Sequence, residues 1–158
     1  MSFLLMLHVL AAVIWVGGMF FAHQITRPAA MALEPPLRLA LWANQFSRFF
    51  PWVWACVIIL PVSGYIVIFN NFGGFANATL YVHFMHFVGW AMIAVFLHVF
   101  FAPYKRLRKA VANQEWPEGG KQLAQIRKMI GFNIILGLLI ISAASAGTSG
   151  TMWLNKVL

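Results

Sequence analysis

The chain has almost no acid. Glu34, Glu115 and Glu118 are the only carboxylate side chains in 158 residues, and aspartate is absent. None of the three lies in a long apolar run. A proton or ion pathway built on an intramembrane carboxylate is therefore not expected, nor is an oxygen-lined site for Mg²⁺ or Ca²⁺. Cysteine is nearly missing too. Cys56 stands alone inside an apolar stretch, which rules out an intrachain disulfide and a cysteine-based zinc or iron–sulfur centre within one chain. It reads as a small buried hydrophobe. Charge of either sign is scarce: 9% of residues are charged and 62% are hydrophobic, against about 25% and about 45–50% in a soluble domain. So few charges cannot coat a water-facing surface, so lipid must solvate most of the chain.

What is present is apolar sequence in four blocks. A helix crossing a bilayer needs about 20 mainly apolar residues. Four stretches qualify, at about 3–25, 49–69, 80–102 and 128–147. Pro28 is expected to end the first and Pro103 the third. Pro61 and Gly64 are expected to kink the second. The fourth is rich in small residues that admit a close neighbour. Residues 28–48 mix Leu37, Leu39, Leu41 and Trp42 with Arg38, Asn44, Gln45 and Arg48, the pattern of a short interfacial helix. Residues 70–79 form an uncharged turn, and 104–127 a basic connection. Trp42, Trp52, Trp54, Trp116 and Trp153 fall near span ends and read as interfacial belt. The opening residues lack a positive n-region and a convincing cleavage site, so the first span reads as retained rather than as a signal peptide.

Net charge is +8. The basic residues flank apolar spans in short loops, so they report topology and contact with anionic lipid, not nucleic acid. Arg27, Arg38 and Arg48 lie between spans one and two. Lys105, Arg106, Arg108, Lys109, Lys121, Arg127 and Lys128 lie between spans three and four. Of the 11 Lys and Arg residues only Lys156 falls on the other side. The positive-inside rule then places both termini outside. The expected fold is an all-α membrane protein, a single domain of four helices in an up-down bundle.

All five histidines lie in spans: His8 and His23 on the first, His83, His86 and His98 on the third. Imidazoles are costly in a membrane and usually have partners. Spans one and three run the same way, and each carries a pair 15 residues apart, or roughly 22 Å along a helix. His8 should match His83 and His86 in depth near the outer leaflet, and His23 should match His98 near the inner. Helices one and three of such a bundle face each other diagonally. Opposed histidines at one depth can clamp a haem iron, and two depths suggest two non-covalent b haems. One of His83 and His86 would complete the outer pair. Gly17, Gly18 and Gly89 would leave room for the macrocycle, and Arg27, Arg48 and Arg127 would pair with inner propionates. Copper is the alternative, since imidazole and thioether both suit it. Met6 lies near His8, and Met85 lies between His83 and His86, although the eight methionines form no Met-x-x-Met cluster.

The stretch Leu7-His8-Val9-Leu10-Ala11-Ala12-Val13-Ile14-Trp15-Val16-Gly17-Gly18 resembles the opening helix of the copper resistance protein D (CopD) family. The third-span histidines and Pro103-Tyr104-Lys105-Arg106-Leu107-Arg108 fit that group as well. The resemblance covers nearly the whole chain, as a compact four-helix version. It implies copper uptake across a bacterial inner membrane. More distantly, the first helix is similar to that of HemJ-type protoporphyrinogen oxidases, in which His8 would be a haem ligand. Those proteins have Trp-Phe-Ala-Gly where this chain has Trp15-Val16-Gly17-Gly18, so their oxidase activity is not carried over. The leading expectation is an inner-membrane b-type cytochrome passing electrons between a quinone, or a periplasmic redox protein, and an acceptor. Copper transport through the same histidines comes second and a haem-dependent oxidase third. Pairing with a second copy stays open.

The charge asymmetry makes a direct prediction. A single cysteine engineered into 104–127, in a Cys56→Ala background, should resist an impermeant thiol reagent added to intact cells. Labelling from outside would reverse the topology.

Overall fold

The computed structural model describes the backbone of residues 2–157 and the side chains of residues 3–147. Trp153 and Lys156, read above as outer-side residues, have side chains outside that range. The chain is helical throughout its spans: α1 Ser2–Phe20, α2 Arg27–Ala30, α3 Pro35–Phe72, α4 Leu80–Val99, α5 Lys105–Ala112 and α6 Trp116–Val157. Four continuous helical stretches are long and apolar enough to cross a membrane, at Phe3–Ala30, Pro35–Phe72, Leu80–Ala112 and Trp116–Gly147. This is the expected all-α, four-helix membrane architecture.

Two prolines expected to end spans do not. Pro28 follows a π turn at Phe21–Thr26, and Pro103 lies within another at Phe100–Tyr104. A proline ring in an α-helix strikes the carbonyl four residues back. A π turn bonds five residues back and displaces that carbonyl, so each helix continues past its proline. The separate interfacial helix is not seen either. Residues 35–72 form one helix of 38 residues, about 57 Å long. Pro35 and Pro36 occupy its first turn, where the missing N–H costs nothing. Its amino-terminal half therefore projects past an apolar slab about 30 Å thick, on the basic side. The α6 helix likewise starts a dozen residues before its apolar run.

That projection places the core. Trp42, Phe46 and Phe50 stack along α3 with successive centroids 5.2 Å apart. Phe50 meets Tyr104 edge-on at 4.7 Å and Phe96 at 5.6 Å. Phe46, Leu107 and Ile126 are wholly buried. Trp42 belongs to this core and not to an interfacial belt. α1 packs chiefly on α3 and then on α6, while α4 packs chiefly on α6. Across the diagonal, α1 and α4 meet at the centre through Trp15 and Phe96, 6.3 Å apart. The bundle is thus plugged by rings from its middle to its basic end, and the opposite end is looser.

At that looser end α3 stops at Gly73, whose φ of +69° is a left-handed cap. Only glycine adopts it without strain. The chain then turns through Phe75–Asn77 into α4. Small residues also set the close approaches: a Cβ on Gly137 would stand 2.7 Å from Val16 Cγ2 and 3.3 Å from Met92 Cε. Gly137→Leu should therefore wedge α6 from α1 and destabilise the bundle by about 1–3 kcal/mol. Unfolding in mixed micelles measures this, and undiminished stability would show that the approach is not needed.

Candidate functional site

The half of the bundle away from the basic loops holds three histidines, two of them against one short segment of α3. His8 reaches across from α1, and its Nδ1 lies 2.8 Å from Ser63 Oγ. Next to Ser63, Gly64 faces the same ring, and a Cβ there would be in ordinary van der Waals contact with it at 3.5 Å. One residue on, Tyr65 packs edge-on against His86 of α4 at 5.5 Å. His8 and His86 are therefore held at the same level of α3, on neighbouring faces. Phe75, presented by the turn after Gly73, contacts both His86 at 5.0 Å and His83 at 6.1 Å. Trp90 completes the ring set around His86.

The hydrogen bonds decide where the imidazole protons are. Ser63 has one hydroxyl proton, and its Oγ lies 2.5 Å from the Ile59 carbonyl, which can only accept. Ser63 Oγ is then an acceptor for His8, and the His8 Nδ1 must donate. The Leu60 carbonyl, a second acceptor, lies beside the same ring. His83 is in the same state for a simpler reason: its Nδ1 lies 3.1 Å from the Thr79 carbonyl. In the neutral form both rings would carry the proton on Nδ1 and present the Nε2 lone pair. This is the form in which histidine ligates metals, with the second ring nitrogen held by a neighbouring acceptor. His8 is half-buried, while His83 is exposed and lines an open cleft with Leu80, Tyr81, Phe84 and Ala143.

The inner histidines are arranged differently. His23 sits in the first π turn and turns to α6, where a Cβ on Gly131 would be 3.2 Å from its Nε2. Its Nδ1 is buried without a partner. Arg27 and Arg127 are its charged neighbours. His98 is exposed on α4, between the buried Phe96 and Val99 faces. The two rings do not face each other across the bundle. Arg27 and Arg48 are exposed and Arg127 is half-buried. Of the glycines expected to make room for a macrocycle, Gly18 faces the Phe49 ring, which fills its space, while Gly17 and Gly89 are open. Between spans one and three the interior void measures about 20 Å³, room for a water but not for a porphyrin.

Among the described residues no three His, Cys, Asp or Glu side chains converge as a ready metal cage. The site's donors are thus separate imidazoles, and every donor is neutral. Residue-by-residue reading of the sequence did not single out Ser63, Tyr65 or Phe75. A serine two positions past a span proline is the signal for the first, because a hydroxyl in lipid needs partners.

The family described as copper resistance protein D matches residues 43–146, about two thirds of the chain. The match takes in α4, with His83, His86 and His98, and the Ser63–Tyr65 segment, but begins beyond the opening helix. No curated protein and no solved structure matches the chain.

The Ser63 bond is testable by itself. In protein labelled with ¹⁵N-histidine, His8 should show a protonated Nδ1 and an unprotonated Nε2. Ser63→Ala should mix the two tautomers at His8 and leave His83 unchanged. An unaltered His8 spectrum in that variant would show that Ser63 does not set the proton.

Proposed function

The chain belongs to the copper resistance protein D family, and we propose that it takes up copper at the outer face of the membrane, holding cuprous ion on the free Nε2 atoms of its outer histidines. The observation that carries this reading is the fixed tautomer of His8 and His83. Two imidazoles on different helices each direct Nδ1 to an acceptor on the protein, Ser63 Oγ for His8 and the Thr79 carbonyl for His83, which leaves Nε2 to face a metal.

The chemistry of the donor set favours the cuprous form. Moving an ion from water to an apolar medium costs more as its charge rises. With no carboxylate in any span, nothing offsets a double charge. A single charge on neutral, polarisable donors is the affordable case, and imidazole with thioether suits Cu(I). His83, exposed at the mouth of the outer cleft, is positioned to receive the ion. His86 sits behind it in its ring of aromatics, and His8 deeper on α1.

A b-type haem serving electron transfer is the second reading, favoured by one observation. His83 is exposed in a shallow open cleft with Leu80, Tyr81, Phe84 and Ala143, and its Nε2 would be the axial ligand. Bound haem would supply one-electron chemistry, with a quinone or a periplasmic redox protein as partner. The closed interior between spans one and three gives no support to a pair of haems clamped there.

The two readings separate on a purified sample in lipid nanodiscs. On the copper reading the protein is colourless as isolated and competes for Cu(I) with bicinchoninate without oxygen. His8→Ala and His83→Ala should each weaken binding by tenfold or more. Stoichiometric haem with a dithionite-sharpened Soret band, and no competition for Cu(I), would overturn it in favour of the second.

A further inference from the structure

The centre of the bundle holds a second group of soft donors, well below the outer histidines. The interior void of about 20 Å³ is lined from all four spans, and its lining includes Met19 of α1, Met129 and Asn133 of α6, Trp15 and Phe96. Met19 and Asn133 are each only 3% exposed. Asn133 Nδ2 donates to the Met92 carbonyl at 3.1 Å. That bond fixes which end of the amide is which, and it leaves Oδ1 buried with no partner. An amide oxygen left unpaired in an apolar core is costly, and such a group calls for an explanation.

A water fits by volume, but a buried water normally makes about three hydrogen bonds. Asn133 is the one side chain with a carbonyl oxygen in this lining, and one of its two amide hydrogens is already committed to Met92. Thioether sulfur accepts only weakly. The two thioethers suit a soft monovalent cation far better, since sulfur binds Cu(I) by polarisability rather than charge, and the amide oxygen would add a weaker third donor.

Position supports the assignment. At about 100° per residue, His8, Trp15 and Met19 follow one face of the first span. Met19 lies 11 residues from His8, about 16 Å along the helix, and one turn from His23. His23 is itself half-buried with an unpartnered Nδ1. The void thus stands between outer and inner imidazoles.

We propose that this void is a mid-membrane cuprous site, with the sulfurs of Met19 and Met129 and the Oδ1 of Asn133 as donors. It would accept the ion from the outer histidines and face His23 beyond. The proposal rests on the copper reading above, but its donors are different atoms, so the two can fail separately.

The test is copper-edge X-ray absorption on the full chain in nanodiscs loaded with Cu(I) without oxygen, together with bicinchoninate stoichiometry. The wild type should show sulfur as well as nitrogen scatterers. The double variant Met19→Leu, Met129→Leu, which nearly conserves volume, should lose the sulfur scattering and one copper equivalent while keeping the nitrogen-bound ion. Met129→Leu alone, at a half-buried position, should lower the sulfur signal and serves if the double variant does not fold. Nitrogen scatterers alone in the wild type would overturn the central site and leave the outer one standing. Sulfur scattering that persists in the leucine variants would place it at other methionines and also overturn the assignment. No bound copper at all would end both readings.

Discussion

A serine hydroxyl has one proton, and Ser63 gives it to the carbonyl of Ile59. Everything proposed for the outer half depends on that commitment. Because the proton is spent within α3, His8 must donate through Nδ1, and in its neutral form Nε2 then carries the lone pair. A histidine on a lipid-embedded helix would otherwise exchange tautomers freely. His83 reaches the same state through the carbonyl of its own preceding turn. The local cost of placing imidazoles in a membrane is thus turned into a fixed donor geometry.

The aromatic plug gives this arrangement its direction. From Trp42 to Phe96 the basic half of the bundle is filled by rings in edge and stacked contact, extended by α5 and the start of α6. The other end is held apart by a glycine-capped turn and opens to a cleft. An ion arriving from the open side meets neutral donors first. Alongside the plug, Arg27 and Arg127 flank His23, and on the copper reading an ion would meet there a concentration of positive charge with no acid in the spans to balance it. This asymmetry makes the outer half the place where a cation is held most easily, and makes passage to the inner side dependent on the ion's being only singly charged.

Much of this fold is legible in the amino-acid sequence, because lipid imposes a coarse rule. Twenty apolar residues must be helix, and the four blocks are separated clearly enough to count. Helix ends were harder. Pro28 and Pro103 carry the usual signal for a stop, yet a π turn beside each lets the helix run on, and π turns leave no compositional mark. The interfacial helix fused with α3 because its mixed polarity suits a helix projecting past the bilayer as well as one lying on it. For the site, spacing along a helix gives depth but a poor sense of facing. His98 comes out exposed on α4, and His23 turns to Gly131, since the π turn at Phe21–Thr26 departs from a 100° count. Ser63 and Asn133 were present all along as polar residues in apolar spans, and their meaning depends on partners 55 and 41 residues away.

The central claim is that Nε2, not Nδ1, of the outer histidines takes the metal. Silver(I) is a diamagnetic stand-in for Cu(I), and its titration into ¹⁵N-histidine-labelled protein in nanodiscs reads both nitrogens at once. The account predicts that the Nε2 resonances of His8 and His83 move on saturation while each Nδ1 stays protonated. Movement of the Nδ1 resonances instead, or no change at either ring, would contradict it.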